Sequence, residues 1–257
     1  MSKLQAALTN PERAQGVVAR RLIFCEHAEC NHTAQLIKFC SRCHGYFARC
    51  CNHADRDEVC HHYKLVFTDG ACLSNGQRDA TAGIGIAVGV FGEDWDQWAI
   101  PIDDSVDAYH KRSSQRAELL AALKGLFKLR DKELEVYDYS LDEHNTLQHL
   151  RGLRRPAWII TTDSEYVVKG MTEWLPVWKV NDWRGTQGRR PSNLDLFQKL
   201  DDAITTIEKT FRIDVGFWHV SRELNKTADA LAKRAARRAP VATIPASNRN
   251  VHAMVDF

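Results

Sequence analysis

The sequence predicts an α/β fold with a mixed five-stranded sheet flanked by helices, preceded by a small module rich in Cys and His. Its 257 residues are 44% hydrophobic and 9% aromatic, which is enough to build a sizeable core. Short β-like runs alternate with segments whose apolar residues recur at helical spacing. Seven of the eight cysteines lie between Cys25 and Cys60, so the first part of the chain differs in composition from the rest.

The order of these patterns gives the predicted elements. Three strands come first, then a helix, a buried strand, further helices, a strand and a last helix. The first helix is predicted because Ala117, Leu120, Leu123 and Leu126 fall on one face. The predicted strands cover residues 64–71, 82–91, 96–102, 158–162 and 213–219, and the predicted helices cover residues 113–129, those from 163 onward, 193–209 and 224–237. Residues 131–156 fit either a helical insertion or a long loop.

Composition also predicts four regions along the chain. Residues 1–20 form an N-terminal extension, residues 21–62 the Cys/His segment, residues 63–238 the α/β domain, and residues 239–257 a flexible tail without periodicity. No run approaches the roughly 18 apolar residues of a membrane helix, and the N-terminus lacks the apolar core of a secretory signal. We therefore expect an intracellular monomer with no membrane partner.

Charge is nearly balanced overall but uneven along the chain. The formal net charge is only +2. Residues 174–193 contain four basic side chains and residues 222–238 contain six, each set against few acidic ones. Such local basic segments are either solvent-exposed charged surfaces or binding surfaces for phosphate groups, and neither segment alone distinguishes these interpretations.

Four carboxylates lie where an apolar residue would be expected or where a strand is expected to end. Asp69 and Asp163 stand where buried strands are expected to run out, and Glu118 and Asp229 lie among apolar residues of helices. Each alone could be a helix cap or an exposed helical residue. Together they could converge on one pocket, where mutual repulsion would favour binding of a divalent cation such as Mg²⁺.

The segments "FTDGA", "SSQRAELLAALKGL", "TTDSEYVVKGMTEW" and "FWHVSRELNKTADALA", in this order, resemble the type 1 ribonuclease H family. The resemblance covers about residues 64–237 and implies a ribonuclease H-like fold. It implies hydrolysis of the RNA strand of RNA–DNA hybrids with two Mg²⁺ or Mn²⁺ ions, leaving 5′-phosphate and 3′-hydroxyl ends. The metal ligands and catalytic residues would be Asp69, Glu118, Asp163 and Asp229.

The same resemblance implies contacts to the substrate. Residues 174–193 look like the basic protrusion that grips the DNA strand in this family, with Trp174, Trp178, Lys179, Trp183 and Arg184 as candidates. The alternative is that some of these tryptophans cap the core. The contacts that read RNA 2′-hydroxyl groups fall on Ser114, which replaces the usual Asn, and on Gln115 and Asn75.

One departure from the family lies before Asp229. Many members carry a glycine-rich loop with a His there, whereas this chain has the shorter "HVSRELNKTAD". His219 lies further back and is expected to pack or hydrogen-bond, and Arg222 could replace the missing His as a phosphate contact. The shortened loop resembles that of an active subgroup, so slower or differently tuned turnover is expected.

The Cys and His residues of the segment 21–62 indicate zinc binding. A chain without an export signal is not expected to form disulfides, and the spacing of its thiols suits tetrahedral Zn²⁺. The pattern resembles crossed-brace zinc fingers, which implies two structural ions. The implied sets are Cys25, Cys30, Cys50 and His53 for one ion, and Cys40, Cys43, Cys60 and either His61 or His62 for the other, with Cys51, His27, His32 and His44 in reserve. The segment could serve a nucleic-acid duplex, a hybrid or a protein partner.

Two other functions remain open at this point. One is a hybrid-binding protein of the same fold with little or no turnover, which the missing loop His supports. The other is a different nuclease on this fold, such as a resolvase or a DNA nuclease. The four carboxylates argue against the first, and the "SSQRAE" segment with the basic protrusion argues against the second.

Overall fold

The structure is a computed structural model that describes residues 15–51, 59–90, 95–109, 111–139 and 155–241. Its strands are β1 (Gly16–Val18), β2 (Arg21–Ile23), β3 (Ile37–Phe39), β4 (Tyr46–Ala48), β5 (Tyr63–Leu73), β6 (Thr81–Ala87), β7 (Gln97–Pro101), β8 (Ala157–Thr162) and β9 (Asp214–His219). Its helices are α1 (Glu26–Glu29), α2 (Thr33–Leu36), α3 (Ser114–Tyr139), α4 (Glu165–Lys169), α5 (Leu175–Val180), α6 (Leu194–Phe211) and α7 (Lys226–Arg238). A π-helical turn (Gly170–Trp174) joins α4 to α5, and a 3₁₀ turn (Arg222–Leu224) precedes α7.

The centre of the molecule is a mixed sheet in the order β7-β6-β5-β8-β9. The strands β5, β8 and β9 run parallel to one another. The strand β6 pairs antiparallel with β5, and β7 pairs antiparallel with β6. Both faces of β8 are buried, as expected for a parallel strand covered by helices on either side. The five predicted strands and the α/β class are confirmed.

The sheet is nevertheless larger than predicted, with nine strands among the described residues instead of five. The four additional strands, β1 to β4, each have three residues, too few for a period-two pattern to be recognised. Pairing of Arg21 with Phe217 joins β2 to β9, and pairing of Phe47 with Lys64 joins β4 to β5. The start of the chain therefore contributes to the same sheet as the α/β domain.

The buried apolar side chains form two clusters. One lies between the sheet and the helices α3 and α6, and includes Leu126, Ile160 and Phe197. The other lies on the opposite face and combines residues of the Cys/His segment, such as Leu22 and Leu36, with residues of the central strands. Folding of residues 21–51 is consequently coupled to folding of the sheet through a shared core.

The helix α3 is longer than predicted. It continues to Tyr139, so the first part of the ambiguous stretch 131–156 is helical. Residues 140–154 of that stretch lie outside the described residues, as do residues 1–14 and most of the predicted tail. None of the helices within the described ranges is long and apolar enough to cross a membrane.

Candidate active site

Asp69 and Asp163 lie next to each other because of how their strands pair. The parallel ladder between β5 and β8 stops at the pair Phe67–Thr161, and β8 ends at Thr162. The prediction that the β5 strand ends at Asp69 is wrong, because β6 continues to pair with β5 as far as Leu73. Asp69 is thus a mid-strand residue of β5 that borders the carboxyl end of β8.

Two glycines bring the helical carboxylates to this edge. A Cβ atom at Gly70 would lie 2.2 Å from the backbone of Ala117 and Glu118, so α3 touches β5 at backbone distance. A Cβ atom at Gly85 would lie 1.9 Å from the carbonyl oxygen of Ala228, so α7 approaches β6 equally closely. Only glycine permits such contact, and it sets Glu118 and Asp229 beside Asp69.

Asp69 carries the strongest electrostatic signal of the site. Its pKa is raised to about 7, and burial of its side chain is the largest cause. The charges of Asp163, Asp229 and Glu118 add to this increase, while a hydrogen bond from the backbone of Gly70 opposes it. The four carboxylates therefore form one electrostatically coupled group, here called the carboxylate site.

Glu118 is held by the residue that follows Asp163. The hydroxyl group of Ser164 donates a hydrogen bond of 2.6 Å to Oε2 of Glu118. Burial raises the pKa of Glu118, the Ser164 hydrogen bond opposes this, and the Asp163 charge adds to it. Ser164 also caps α4, since its oxygen accepts a hydrogen bond from the backbone N–H of Val167. One hydroxyl thus ties the end of β8 to α3.

Asp163 is held by Asn225. The side-chain Nδ2 of Asn225 donates to Oδ1 of Asp163 at 2.7 Å and to the carbonyl oxygen of Thr68 at 3.1 Å. Asn225 is 1% exposed, so these are desolvated hydrogen bonds that fix the carboxylate. His219, which the sequence left as a packing or hydrogen-bonding residue, is exposed and its Nε2 lies 3.2 Å from the carbonyl oxygen of Asp163.

Asp229 differs from the other carboxylates because it is paired with cations. Arg222 donates to one oxygen at 2.6 Å and Lys233 to the other at 2.7 Å. Burial raises the pKa of Asp229, but the Lys233 and Arg222 hydrogen bonds outweigh burial and the net pKa is lowered. Arg222, the predicted phosphate contact, thus lies at the carboxylate site.

The predicted RNA-reading residues also lie together. The backbone N–H of Ser114 is 3.4 Å from Oδ1 of Asn75, so the β5–β6 turn meets the start of α3. Gln115 is exposed beside them. Ser114 and Gln115 lie four and three residues before Glu118 on α3, which is about one helical turn.

In the protrusion, residues 174–193, the tryptophans pack against each other and against the core. The rings of Trp174 and Trp178 are 6.1 Å apart, and Trp178 packs edge-on against Phe197 in the core. Trp183 is partly buried against the same core. Of its basic candidates, Lys179 forms an ion pair with the buried Asp201 at 2.5 Å, whereas Arg184 is exposed and donates to the carbonyl oxygen of Gly188.

The Cys/His segment brings together part of one predicted zinc set. Cys40, Cys43 and His61 have their ligand atoms within 4.8 Å of one another. His62 is instead buried against the ring of Tyr63. For the other set, Cys51 interacts with the sulfur of Cys25, although it was only a reserve candidate, while Cys50 is buried in the core and Cys30 is exposed. His53 lies outside the described residues.

Sequence reasoning missed the residues that hold the carboxylates. Ser164 was considered only as part of a possible cap, and neither Asn225 nor Lys233 was singled out. One spacing carried a signal: Lys233 lies four residues after Asp229 on α7, and residues four apart share a helix face.

Comparison with known proteins identifies the family to which the chain belongs. The RNase H family model matches residues 61–237. Ribonuclease H of Pseudomonas putida is 30% identical over 169 residues, which are 66% of this chain and 90% of that protein. Ribonuclease H1 of Mus musculus is 27% identical over 68% of this chain and 50% of its own length. A solved structure of the foamy viral protease-reverse transcriptase in complex with dsDNA aligns with a TM-score of 0.47 at 21% identity, covering 68% of this chain and 94% of that one. The match to the family model over more than half of the chain shows that this protein belongs to the type 1 RNase H family.

Proposed function

We propose that this protein is an endoribonuclease that hydrolyses the RNA strand of RNA–DNA hybrids and leaves 5′-phosphate and 3′-hydroxyl ends. The observation that carries the proposal is the convergence of Asp69, Glu118, Asp163 and Asp229, from four separate elements, in a chain of the RNase H family. A fold that gathers like charges at a partly buried edge is destabilised by doing so, unless a cation binds there.

The donor set of the carboxylate site fits Mg²⁺ or Mn²⁺. All four side chains offer oxygen atoms, which are the ligands these ions prefer, and the pKa of Asp69 is raised to about 7 in the absence of a cation. We infer that these four residues hold two ions, as is typical of the family. When bound, such ions supply an activated water and stabilise the charge on the leaving oxygen.

The neighbouring residues prepare the site for this role. Ser164 orients Glu118, and the buried side chain of Asn225 orients Asp163 through a hydrogen bond. Arg222 and Lys233 keep Asp229 ionised, because both stabilise its negative charge. Arg222 is also largely exposed, so its remaining N–H groups are accessible to a phosphate group of the substrate.

Substrate contacts follow from the surfaces beside the carboxylates. Asn75, Ser114 and Gln115 form one polar patch on the RNA side, where hydroxyl and amide groups can pair with 2′-hydroxyl groups. Trp174, Trp178, Trp183 and Arg184 on the protrusion are proposed contacts for the DNA strand. Lys179 is proposed only as a secondary contact, since its ammonium group is paired with Asp201.

The deciding experiment is cleavage of a labelled RNA–DNA hybrid with Mg²⁺, beside duplex RNA and duplex DNA, with Asp163→Asn as the inactive control. The proposal expects cleavage of the hybrid alone, and loss of that cleavage in the variant. Hybrid binding without cleavage would favour the alternative of a non-catalytic hybrid-binding protein, an alternative that the shortened loop without its His supports. Cleavage of duplex DNA would instead indicate a different nuclease.

We also propose that the Cys/His segment binds structural Zn²⁺, with two ions expected from its sequence. The grouping of Cys40, Cys43 and His61 supports one of them. A nucleic-acid duplex or a protein remains the proposed partner of this segment.

A further inference from the structure

The turn between β3 and β4 has a conformation that presents two thiols together. The backbone N–H of Cys40 donates to the carbonyl oxygen of Gly45 at 3.0 Å, which closes residues 40–45 into a tight loop, here called the cysteine turn. His44 has φ of 55°, a left-handed conformation that allows the chain to reverse before β4. Cys40 and Cys43 are the thiols of this turn.

Backbone amides of the cysteine turn point at these sulfur atoms. The amides of Cys43 and Arg42 donate to the Cys40 sulfur, and the amide of Gly45 donates to the Cys43 sulfur. Hydrogen bonds from N–H groups favour sulfur in its anionic form, which is the form that binds metals.

His61 completes the group from a different part of the chain. Its ring stacks on Phe47 of β4, with centroids 4.2 Å apart and planes 12° from parallel, so its orientation is fixed. Its Nε2 lies 3.7 Å from the sulfur of Cys43. Tetrahedral zinc with Zn–S bonds of about 2.3 Å and Zn–N bonds of about 2.0 Å separates sulfur from nitrogen by about 3.5 Å. The observed spacing is close to that separation.

We propose that Cys40, Cys43 and His61 hold one zinc ion that fastens the cysteine turn to the chain entering β5. Two thiolates and one imidazole select zinc among the common divalent ions, and four-coordinate geometry leaves one position for a further ligand. The inference rests on the proposed zinc of the Cys/His segment, and it is independent of hybrid cleavage. It uses the predicted Cys40, Cys43 and His61 but departs from the crossed-brace expectation in one ligand, because Cys60 lies outside this group.

The position of this ion gives it a mechanical role. His61 lies two residues before β5, the strand that carries Asp69, and the same strand pairs with β4 only through Phe47 and Lys64. Stacking of His61 on Phe47 adds to that pairing. The ion therefore reinforces a short strand contact, and metal removal is expected to loosen the start of β5 before it affects the carboxylates.

The test measures zinc in the purified full-length chain by mass spectrometry. We expect Cys43→Ala and His61→Ala each to lose one zinc per chain relative to the natural sequence. Cys72→Ser, which removes a thiol outside the group, is the matched control and keeps the full zinc content. His61→Cys replaces one zinc ligand by another and is expected to restore the lost ion. Unchanged zinc content in both alanine variants would overturn the proposal.

A second measurement remains decisive if an alanine variant does not fold. In the natural sequence reconstituted with Co²⁺, we expect thiolate-to-cobalt absorption that becomes stronger in His61→Cys, because a third thiolate joins the ion. An identical spectrum in the two proteins would overturn the proposal. Neither readout depends on cleavage, so a failure of the proposed nuclease activity and a failure of this zinc site give different results.

Discussion

The carboxylate site and the cysteine turn are built in opposite ways. The carboxylates come from β5, α3, the end of β8 and α7, and they meet only when the whole sheet and its helices are assembled. The thiols of the cysteine turn lie three residues apart, and their turn closes through its own hydrogen bond. The first site depends on global topology and brings like charges together, whereas the second takes its two thiols from one local turn and its imidazole from His61, just before β5. Substitutions at one site should therefore leave the other intact.

The largest expected effect comes from Asp69→Asn. This change removes a proposed ligand of both ions, and we expect hybrid cleavage to fall by at least about 100-fold. Single-turnover cleavage of a labelled hybrid measures it. Asp202→Asn, an exposed aspartate on α6, is the matched control and should cleave normally. The zinc content should be unchanged in both variants, and a loss of zinc in Asp69→Asn would contradict the independence of the two sites.

The second prediction concerns pH. The pKa of Asp69 is raised to about 7 in the fold, from 3.8 for an ordinary aspartate, so the fold disfavours the charged form. Without Mg²⁺, stability is therefore expected to fall as pH rises from about 4 to 7, by up to about 4 kcal/mol. Urea unfolding at pH 5 and pH 8 measures this loss, without a chelator that would strip zinc.

Asp69→Asn provides the control for this pH dependence. An amide does not ionise, so the variant should lose the part of the slope between pH 4 and 7 that Asp69 causes. For the natural sequence, Mg²⁺ should bind about tenfold more tightly per pH unit up to about 7 and level off above it, because the ion competes with one proton. Calorimetric titration at pH 6, 7 and 8 checks this, and pH-independent affinity would contradict it.

A smaller effect is expected for Ser164→Ala. The change removes the hydrogen bond to Glu118 and the cap of α4. The pKa of Glu118 should rise further, since that hydrogen bond lowers it. We expect cleavage to fall about tenfold, the equivalent of one hydrogen bond to a charged group, and stability to fall by about 1 kcal/mol. Ser164→Thr keeps the hydroxyl group and should retain most of the activity; equal losses in both variants would argue against the hydrogen bond.

The smallest effects are expected at the protrusion. Arg184→Gln should weaken hybrid binding independently of sequence and reduce the slope of log affinity against log salt by about 1. Lys179→Met is the matched comparison and should change the slope less, because Lys179 is paired with Asp201. Hybrid-binding titrations at several salt concentrations distinguish the two. A larger change for Lys179→Met would mean that this ion pair opens when substrate binds.

The central sheet could be predicted from the sequence, because its strands and α3 are long enough to show a clear periodicity. The four carboxylates that meet in space could also be predicted, because the motifs that contain them occur in the same order as in a known family. The extension of β5 from residue 71 to Leu73 could not be predicted, because it depends on pairing with β6. Ser164 and Asn225 were missed for a related reason: their partners are distant in sequence, at Glu118 and Thr68.

The short strands at the start of the chain have a consequence for association between molecules. The strand β9 would be a six-residue edge, but β2 lies along it through the pair Arg21–Phe217, and β1 then closes the hairpin. The outermost strand is only three residues long, so a second polypeptide finds little free backbone to extend. A shortened protein that began near β5 would lack this cover, so more of the β9 backbone would be free to pair with a second polypeptide.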